Sequence, residues 1–357
     1  MPAPFAVRLT STRALASLTR GRCFLIAMLS LVAIGAGMPL AARAAPPAPT
    51  DGTELNKTIS PANLSRAAPS AFARRVKIRG GRKVYLECRG RGRPTVVLEA
   101  GTGNNARVWH AHEPGRRAIL PAVARFTRVC AYDRPGTVWD GTLGQPKSVS
   151  RSDPVAMPRT ARDIVLDLRA LLRKGRTLPA AHLRGPYVLA GHSFGGMIAR
   201  LYATTYPKRV AGLVSIDAQS EWFTAAYRRL LTPQQYTDAF LHPMPFPGFP
   251  GYSDYEQLAL EASGAEMRQA QADTPLRRMP LVVLSHSLTD PNPFGFPPDW
   301  PIAALNQAFQ ASQDKLAELV PGARHVIASR SQHYIQLDQP GLAIGAIRSV
   351  VRKARRR

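Results

Sequence analysis

Short apolar runs alternate along the chain with longer segments whose apolar residues recur every three or four positions. A run of four to seven mostly apolar residues, bounded by turn residues, is typical of a buried strand. The sequence contains seven such runs, at residues 84–88, 95–99, 127–132, 187–190, 210–216, 281–285 and 325–328. Helical periodicity is found between them, at residues 160–172, 196–206, 302–319 and 342–352. This alternation predicts an α/β fold with a mostly parallel sheet and helices on both faces.

One long segment, residues 219–279, breaks this alternation. It contains helical patterns at 222–231 and 255–271 and a stretch rich in Pro and Phe at 242–252, but no strand pattern. Because the segment stands between two predicted strands, we interpret it as a helical lid inserted into the domain rather than as a separate domain.

The amino terminus has the pattern of a secretory signal peptide. Arginines between residues 8 and 22 form a positive region, residues 24–36 are almost entirely apolar, and Ala42-Arg43-Ala44 is a small-residue cleavage sequence. The sequence therefore predicts a signal peptide at 1–44, a linker rich in Pro and Ala at 45–75, and a folded domain at 76–357. We expect export to the periplasm or the medium, with an uncleaved membrane anchor as the alternative.

The overall composition is that of an ordinary globular protein, with 45% apolar and 20% charged residues. The charge is unusual, because 48 Lys and Arg against 23 Asp and Glu give a net charge of +25. Five of these positive charges lie in residues 1–44 and five in 352–357, so the body of the chain is basic as well. No nucleic-acid-binding motif accompanies them, and we expect no specific nucleic-acid partner. Weak electrostatic contact with an anionic membrane surface stays open, and the sequence does not predict an oligomeric state.

The most informative motif is Gly191-His192-Ser193-Phe194-Gly195. It follows the apolar run at 187–190 and precedes a helical pattern, as a serine on a tight strand-to-helix turn requires. Glycines two residues before and after the serine leave room for the neighbouring backbone at such a turn. The sequence therefore predicts Ser193 as a nucleophile whose hydroxyl projects out of the sheet.

A serine hydroxyl needs a base to take its proton, and the base needs an acid to orient it. For this strand-turn-helix arrangement the expected chain order is serine, acid, histidine. His333 follows the last predicted strand and is the predicted base. Asp290, in the loop after the strand at 281–285, is the favoured acid. Asp217, at the end of the strand at 210–216, is the alternative acid.

Negative charge that develops on a substrate carbonyl needs fixed hydrogen-bond donors. The turn at residues 99–103 directly follows a predicted strand and presents the backbone N–H of Thr102, and the N–H of Phe194 is the second predicted donor. Phosphate binding is the other interpretation of a Gly-rich turn, but this one lacks the Walker lysine and the dinucleotide pattern. The sequence contains no H-E-x-x-H or C-x-x-C motif, and we expect neither a metal nor a cofactor.

Four segments considered together carry a resemblance to a known family. They are residues 95–103 with Trp109, 128–136, 191–196 and 333–340. They resemble the α/β-hydrolase family, and more narrowly its esterase- and lipase-like bacterial branch. The resemblance covers residues 76–351 and implies an eight-stranded sheet with the helical lid between strands six and seven, and no cofactor. At 136–140 the chain departs from the family pattern, with Gly-Thr-Val-Trp-Asp in place of the usual Gly-x-Gly-x-Ser, which affects the floor of the pocket.

Removal of the signal peptide would take away Cys23 and leave Cys88 and Cys130. Two cysteines in an oxidising compartment either pair or stay as buried thiols. The resemblance implies that the strands bearing Cys88 and Cys130 are neighbours, and it therefore implies a disulfide between them.

Together these residues predict a serine hydrolase that cleaves an ester of a small, partly hydrophobic substrate through an acyl-enzyme. Amide or peptide cleavage, carbon–carbon hydrolysis and perhydrolysis use the same machinery and stay open, because a fold does not fix a substrate. Halide and epoxide cleavage are disfavoured, since family members with that chemistry carry Asp where this chain has Ser193. The alternative from another class is a non-catalytic basic protein of the cell envelope that binds anionic polymers.

Overall fold

An eight-stranded sheet forms the centre of the domain in the computed structural model, which describes residues 71–240, 249, 252–287 and 291–357. The predicted signal peptide and most of the predicted linker lie outside the described residues. The strands are β1 (Phe72–Lys77), β2 (Lys83–Arg89), β3 (Val96–Glu99), β4 (Val129–Tyr132), β5 (Val138–Trp139), β6 (Ser148–Val149), β7 (Tyr187–His192), β8 (Val210–Ile216), β9 (Leu281–His286) and β10 (Arg324–Ala328).

The sheet is mostly parallel, as the sequence predicts. Its strand order is β1-β2-β4-β3-β7-β8-β9-β10, and β5 and β6 form a separate two-stranded ribbon. Within the large sheet only β2 runs against its neighbours, since β2 pairs antiparallel with both β1 and β4 while all other pairs are parallel. The carboxyl ends of β3, β7, β8, β9 and β10 therefore meet at one edge of the sheet, where the predicted site residues follow them.

Strand β1 has no counterpart among the seven predicted runs. Only Phe72 and Val76 of its six residues are buried, and Arg74 and Arg75 are exposed, as is common for an edge strand. The strand lacks an apolar run because just one neighbour, β2, pairs with it. It begins at Phe72, four residues before the predicted start of the domain, so residues 72–75 belong to the sheet and not to the linker.

Helices cover both faces of the sheet. In chain order they are α1 (Ile119–Ala124), α2 (Ala161–Gly175), α3 (Phe194–Thr205), α4 (Glu221–Leu230), α5 (Pro233–Phe240), α6 (Leu260–Asp273), α7 (Ile302–Glu318), α8 (Ile335–Asp338) and α9 (Pro340–Arg355). The four predicted helices correspond to α2, α3, α7 and α9. Among the helices of the described residues, none combines the length and apolar character that crossing a membrane requires.

The two faces have separate hydrophobic clusters, and alternate residues of one strand enter each of them. Val97 of β3 packs in a cluster with apolar residues of α2 and α3. Val96 and Leu98, its neighbours in the strand, pack in the other cluster with apolar residues of α1 and α9. This alternation is the two-residue period of a strand that is buried on both sides.

The segment 219–279 is a helical insertion between β8 and β9, which are the sixth and seventh strands of the large sheet in chain order. It contributes α4, α5 and α6, and its described residues contain no strand. Much of its Pro- and Phe-rich part, residues 241–248, 250 and 251, lies outside the described residues. Its position agrees with the predicted insertion, and its function as a lid stays a prediction.

Cys88 of β2 and Cys130 of β4 stand opposite each other in the antiparallel register and form a disulfide. Both side chains are fully buried in the cluster shared with α2 and α3. The predicted pairing is therefore confirmed, and the bond links the antiparallel strand β2 to the parallel part of the sheet.

Replacing both cysteines by alanine is expected to lower the free energy of unfolding by about 3–4 kcal/mol, because the bond restricts the unfolded chain by closing a long loop. The two cysteines are 42 residues apart. Urea unfolding of the Cys88→Ala/Cys130→Ala variant beside the oxidised protein measures the loss. Reduced wild-type protein is the control, since it keeps both sulfur atoms in the core. Equal stability of the oxidised and reduced proteins would contradict the prediction.

Candidate active site

Ser193 occupies the turn between β7 and α3 and has a backbone φ of +53° and ψ of −127°. A positive φ is unfavourable for a residue with a side chain and persists only where the surroundings enforce it. Here the Ser193 N–H donates to the carbonyl of Ile216 at 3.0 Å, and the Ser193 carbonyl accepts from the N–H groups of Gly196 and Gln219, both at 2.9 Å. These bonds to β8 and to the residues after it hold the turn in its strained form.

The glycines on either side of Ser193 are required by close backbone contacts. A Cβ atom on Gly191 would lie 2.3 Å from the carbonyl oxygen of Gly195, and one on Gly195 would lie 2.4 Å from the carbonyl oxygen of Ala100. Both distances are far below van der Waals contact. Glycine at 191 therefore lets the turn close on itself, and glycine at 195 lets it approach the end of β3.

His333 lies beyond β10, and its Nδ1 atom is 2.6 Å from Oδ2 of Asp217. Asp217 is the first residue after β8, has a positive φ of +47° and is completely buried. Its backbone N–H donates to the carbonyl of Leu284 in β9 at 2.7 Å, which fixes the carboxylate at the sheet edge. Among the described residues, the alternative acid of the sequence analysis, Asp217, contacts the histidine. Asp290, the favoured acid, lies outside the described residues, and Asp217 fills the place beside Nδ1 that the role of Asp290 requires.

The Asp217 carboxylate is charged at neutral pH. Burial alone would raise its pKa, but hydrogen bonds from His286 and His333 outweigh burial and lower the pKa to about 2. A permanently charged acceptor at Nδ1 fixes the imidazole of His333 in the tautomer that leaves Nε2 free to accept a proton. It also stabilises the imidazolium that forms after that proton transfer.

His192, directly before Ser193, positions the backbone of His333. Its Nε2 atom is 2.9 Å from the carbonyl oxygen of His333, so Nε2 must carry the hydrogen. Burial, followed by the nearby charge of His333, lowers the pKa of His192 to about 3, and the ring is neutral at working pH. The ring centroids of His192 and His333 are 4.6 Å apart, which brings the histidine loop over the serine turn.

Among the hydrogen bonds of the described residues, none joins Oγ of Ser193 to the ring of His333. Such bonds are often long without substrate and tighten in the reacting complex. What relates Ser193 to His333 is therefore their shared sheet edge and the contact of His333 with Asp217.

The loop after β3 lies against the serine turn. A Cβ atom on Gly101 would be 3.1 Å from Cβ of Ser193, so the two backbones are close neighbours. Within the described residues, no hydrogen bond is donated by the N–H of Thr102 or by the N–H of Phe194, the first residue of α3. The two predicted oxyanion donors thus flank Ser193 with unused N–H groups, and their role stays a prediction.

A buried arginine, Arg134, fixes this loop. Its guanidinium donates to the carbonyl oxygens of Ala100 and Gly101, both at 2.7 Å, and to the carboxylates of Glu99 at 2.9 Å and Glu256 at 2.5 and 2.8 Å. Burial alone would lower the pKa of Arg134, but the charges of Glu256 and Glu99 outweigh burial and raise it. The ion pairs therefore hold a charged arginine against the loop after β3.

Removing the carboxylate of Glu256 is expected to loosen the loop. Glu256 belongs to the insertion and also accepts the N–H of Gly103 at 2.7 Å, and its side chain is only 2% exposed. For Glu256→Ala we expect a loss of about 3 kcal/mol in the free energy of unfolding, since Arg134 keeps a buried charge with one partner fewer. We also expect kcat to fall roughly 10- to 100-fold through misplacement of the donors. Glu318→Ala, on the exposed face of α7, is the control, and equal behaviour of the two variants would contradict the prediction.

Aromatic side chains surround the histidine on the side of the insertion. The ring of Phe294 packs on His333 with centroids 4.8 Å apart. Behind it lies a cluster drawn from α4, α5, α7 and the segment at 294–300, which contains Phe223, Tyr227, Tyr236, Phe296, Phe309 and Trp300. The site is thus bounded by an apolar wall on this side.

Sequence reasoning missed three residues that support the site. His286, at the end of β9, contacts Asp217. The sequence feature that could have identified it is a histidine at the end of a fully buried strand. Arg134 lies in the segment 128–136 that carries part of the family resemblance, but its sequence position alone does not reveal that it binds backbone carbonyls. Glu256 has no signal in the sequence, because it reaches Arg134 across 122 residues of chain.

Comparison with known proteins agrees with this fold. The family model described as the alpha/beta hydrolase family matches residues 96–346. A putative carbamate hydrolase, RutD, of Azorhizobium caulinodans is 30% identical over 138 residues, which are 39% of this chain and 42% of that protein. An uncharacterized protein of Schizosaccharomyces pombe is 34% identical over 102 residues, 29% of this chain and 16% of that protein. The chain thus spans less than half the length of these curated relatives.

Among solved structures, the carboxylesterase CesB of Bacillus subtilis has a TM-score of 0.50 and 16% sequence identity to this chain. The superposition covers 84% of this chain and 98% of that chain. At this level of identity the likeness shows a shared fold.

Proposed function

The chain belongs to the alpha/beta hydrolase family, and on that premise we propose that it is a serine hydrolase that cleaves carboxylic esters through an acyl-enzyme. Ser193 is the nucleophile, His333 the general base, Asp217 the acid that orients His333, and the N–H groups of Thr102 and Phe194 form the oxyanion hole. The observation that carries this assignment is the 2.6 Å contact between Nδ1 of His333 and the buried Asp217, at the same sheet edge as the strained Ser193 turn.

With these residues the reaction has two steps, formation of the acyl-enzyme and its hydrolysis. Oγ of Ser193 attacks the ester carbonyl carbon while Nε2 of His333 takes the hydroxyl proton, and the negative oxygen is bound by the two N–H groups. The tetrahedral intermediate then expels the alcohol, which receives the proton from His333. A water molecule repeats the sequence on the acyl-enzyme, and the free acid leaves Ser193 unchanged.

The aromatic wall beside His333 supports a substrate with a hydrophobic acyl or alcohol part. The nearest alternative reaction is cleavage of an amide or a carbamate by the same residues. Carbamates are included because the relative in Azorhizobium caulinodans is named a putative carbamate hydrolase. Carbon–carbon hydrolysis and perhydrolysis stay possible uses of the same residues, with no contact in the described residues that favours them.

Purified protein should be assayed on p-nitrophenyl esters of increasing acyl length, with matched p-nitrophenyl carbamates and p-nitroanilides. We expect ester cleavage with a preference for a short to medium apolar acyl group. If the carbamate is turned over faster than the ester of the same alcohol, the proposed substrate class changes from esters to carbamates. Inactivity on all three series by folded protein would remove the hydrolase proposal.

Anion binding is a second candidate function, favoured by one cleft. The cleft has a volume of about 660 Å³ and is lined in part by four arginines, Arg116, Arg117, Arg330 and Arg348. It contains neither Ser193 nor His333, so a basic binding protein of the cell envelope would not depend on the hydrolytic residues. A protein that binds anionic polymer but does not react with a fluorophosphonate would favour this candidate over the first.

Export is part of the proposal. The Cys88–Cys130 disulfide supports an oxidising compartment, and the sequence at 1–44 has the signal-peptide pattern. We expect the mature protein to begin at Ala45. Mass analysis of the amino terminus after expression with intact export tests this, and a full-length product in the cytoplasm would contradict it. Contact of the basic surface with anionic lipid is expected to be weak and to disappear at high salt.

A further inference from the structure

Asp217 is contacted by a second histidine besides His333. The Nδ1 atom of His286 lies 3.1 Å from Oδ1 and 2.9 Å from Oδ2 of Asp217, and the backbone N–H of His286 donates to Oδ1 at 2.8 Å. His286 is the last residue of β9 and is completely buried. A carboxylate only accepts hydrogen bonds, so these contacts require a hydrogen on Nδ1 of His286.

The surroundings of the His286 ring point to the same tautomer. The ring stacks on Phe309 of α7, with centroids 5.0 Å apart, and meets the edge of Phe294 at 5.3 Å. Within the described residues, Nε2 of His286 is buried and has no hydrogen-bond partner. A hydrogen on Nε2 would therefore be an unpaired buried donor, whereas a hydrogen on Nδ1 satisfies Asp217 and leaves only a lone pair facing the aromatic rings.

The two histidines share one acceptor atom. Oδ2 of Asp217 accepts hydrogen bonds from Nδ1 of His286 at 2.9 Å and from Nδ1 of His333 at 2.6 Å. We propose that His286 is a positioning residue of the hydrolase site. Its Nδ1–H fixes the orientation of the Asp217 carboxylate toward His333. The same hydrogen bond partly offsets the negative charge of the carboxylate and so weakens its electrostatic effect on His333. This role rests on the proposed function.

Two consequences follow for the reaction. Without the His286 donor the carboxylate turns more freely, so the base is less well oriented and kcat falls. Oδ2 then interacts with His333 alone, which favours the protonated imidazole and moves the low-pH limb of the kcat/KM profile to higher pH. We expect KM to change little, because His286 is completely buried and its polar contacts within the described residues go to Asp217 and Gln310.

The other titratable groups around His286 and His333 are the same in the wild type and in a His286 variant. They are His192 from β7, Tyr334 beside His333, and Asp338 from α8, whose charge acts on His333. Helix α7 contributes the uncharged Phe309 and Gln310, the latter donating to the carbonyl of His286 at 3.1 Å. A change in the pH profile of a His286 variant therefore reports on the Asp217 contact.

His286→Phe removes the donor and fills the same aromatic pocket, while His286→Asn places an amide N–H near the position of Nδ1. For His286→Phe we expect kcat to fall roughly 10- to 100-fold at nearly unchanged KM, with the low-pH limb moved up by about half a unit to one unit. His286→Asn should recover most of both changes. His112→Asn, at an exposed histidine, is the control and should match the wild type.

An unmoved pH profile in a folded His286→Phe variant, or equal activity of the Phe and Asn variants, would reduce His286 to packing and overturn the proposal. Nitrogen NMR of the histidine rings in the unaltered protein is a second test that does not depend on a variant that folds. It should find His286 with hydrogen on Nδ1 and none on Nε2, and the reverse assignment would overturn the proposal. An inactive wild type would instead count against the proposed function, and the NMR result would still decide the hydrogen bond.

Discussion

Ser193→Ala is expected to lower kcat for ester hydrolysis on the order of 10⁶-fold, because the acyl-enzyme cannot form without Oγ. The residual rate should come from binding and from the two oxyanion N–H groups, which act without the nucleophile. Folding should be unaffected, since alanine keeps the Cβ atom of serine and the backbone bonds that hold the turn at φ +53°. The rate is measured with the best p-nitrophenyl ester, and the unfolding midpoint is measured in parallel.

Ser329→Ala, at an exposed serine between β10 and His333, is the matched control and should keep wild-type activity. Activity that stays at the wild-type level in Ser193→Ala would show that the hydrolysis is carried out by another residue or by a contaminant. Loss of activity together with loss of folding would call for Ser193→Cys, which keeps a nucleophile at the same position and should form an acyl-enzyme.

Asp217→Asn is expected to lower kcat on the order of 10⁴-fold, which is the scale of losing the acid that orients a triad histidine. An asparagine beside Nδ1 of His333 can donate a hydrogen bond, and the imidazole then turns Nδ1 into an acceptor and leaves a hydrogen on Nε2. The base is thereby blocked from taking the serine proton. Activity across the pH range is the measurement, because the loss should not be recovered at any pH where the protein is folded.

Asp290→Asn decides between the two acids that the sequence offered. Since Asp217 is the carboxylate within 2.6 Å of His333, we expect Asp290→Asn to change kcat less than about three-fold, as for a residue outside the reacting centre. The reverse order, with Asp290→Asn far more damaging than Asp217→Asn, would return the acid to the loop after β9.

The proposed nucleophile and base can be selected from sequence because each is marked by local pattern and by order along the chain. Ser193 stands between a strand pattern and a helix pattern with glycines on both sides, and His333 follows the last strand. The acid is harder, because β8 and β9 are neighbours in the sheet and their carboxyl ends meet at one edge. Asp217 and Asp290 both satisfy the order, and the contact with His333 that favours Asp217 is visible only in three dimensions.

Other features stay hidden because their causes are not periodic. Strand β1 buries two of its six residues, so its sequence resembles a polar linker although it pairs with β2 along its whole length. Arg134 and Glu256 meet from distant parts of the chain, and neither local composition nor spacing predicts an ion pair between them. The insertion also contacts the loop after β3, because Glu256 accepts the N–H of Gly103.

The most direct test of the account is reaction of the folded protein with a fluorophosphonate, followed by peptide mass analysis. We predict one adduct per chain, on the peptide that contains Ser193, with labelling strongly slowed in Asp217→Asn and absent in Ser193→Ala. Folded wild-type protein that stays unlabelled, or an adduct on a peptide without Ser193, would contradict the assignment of Ser193 as an activated nucleophile.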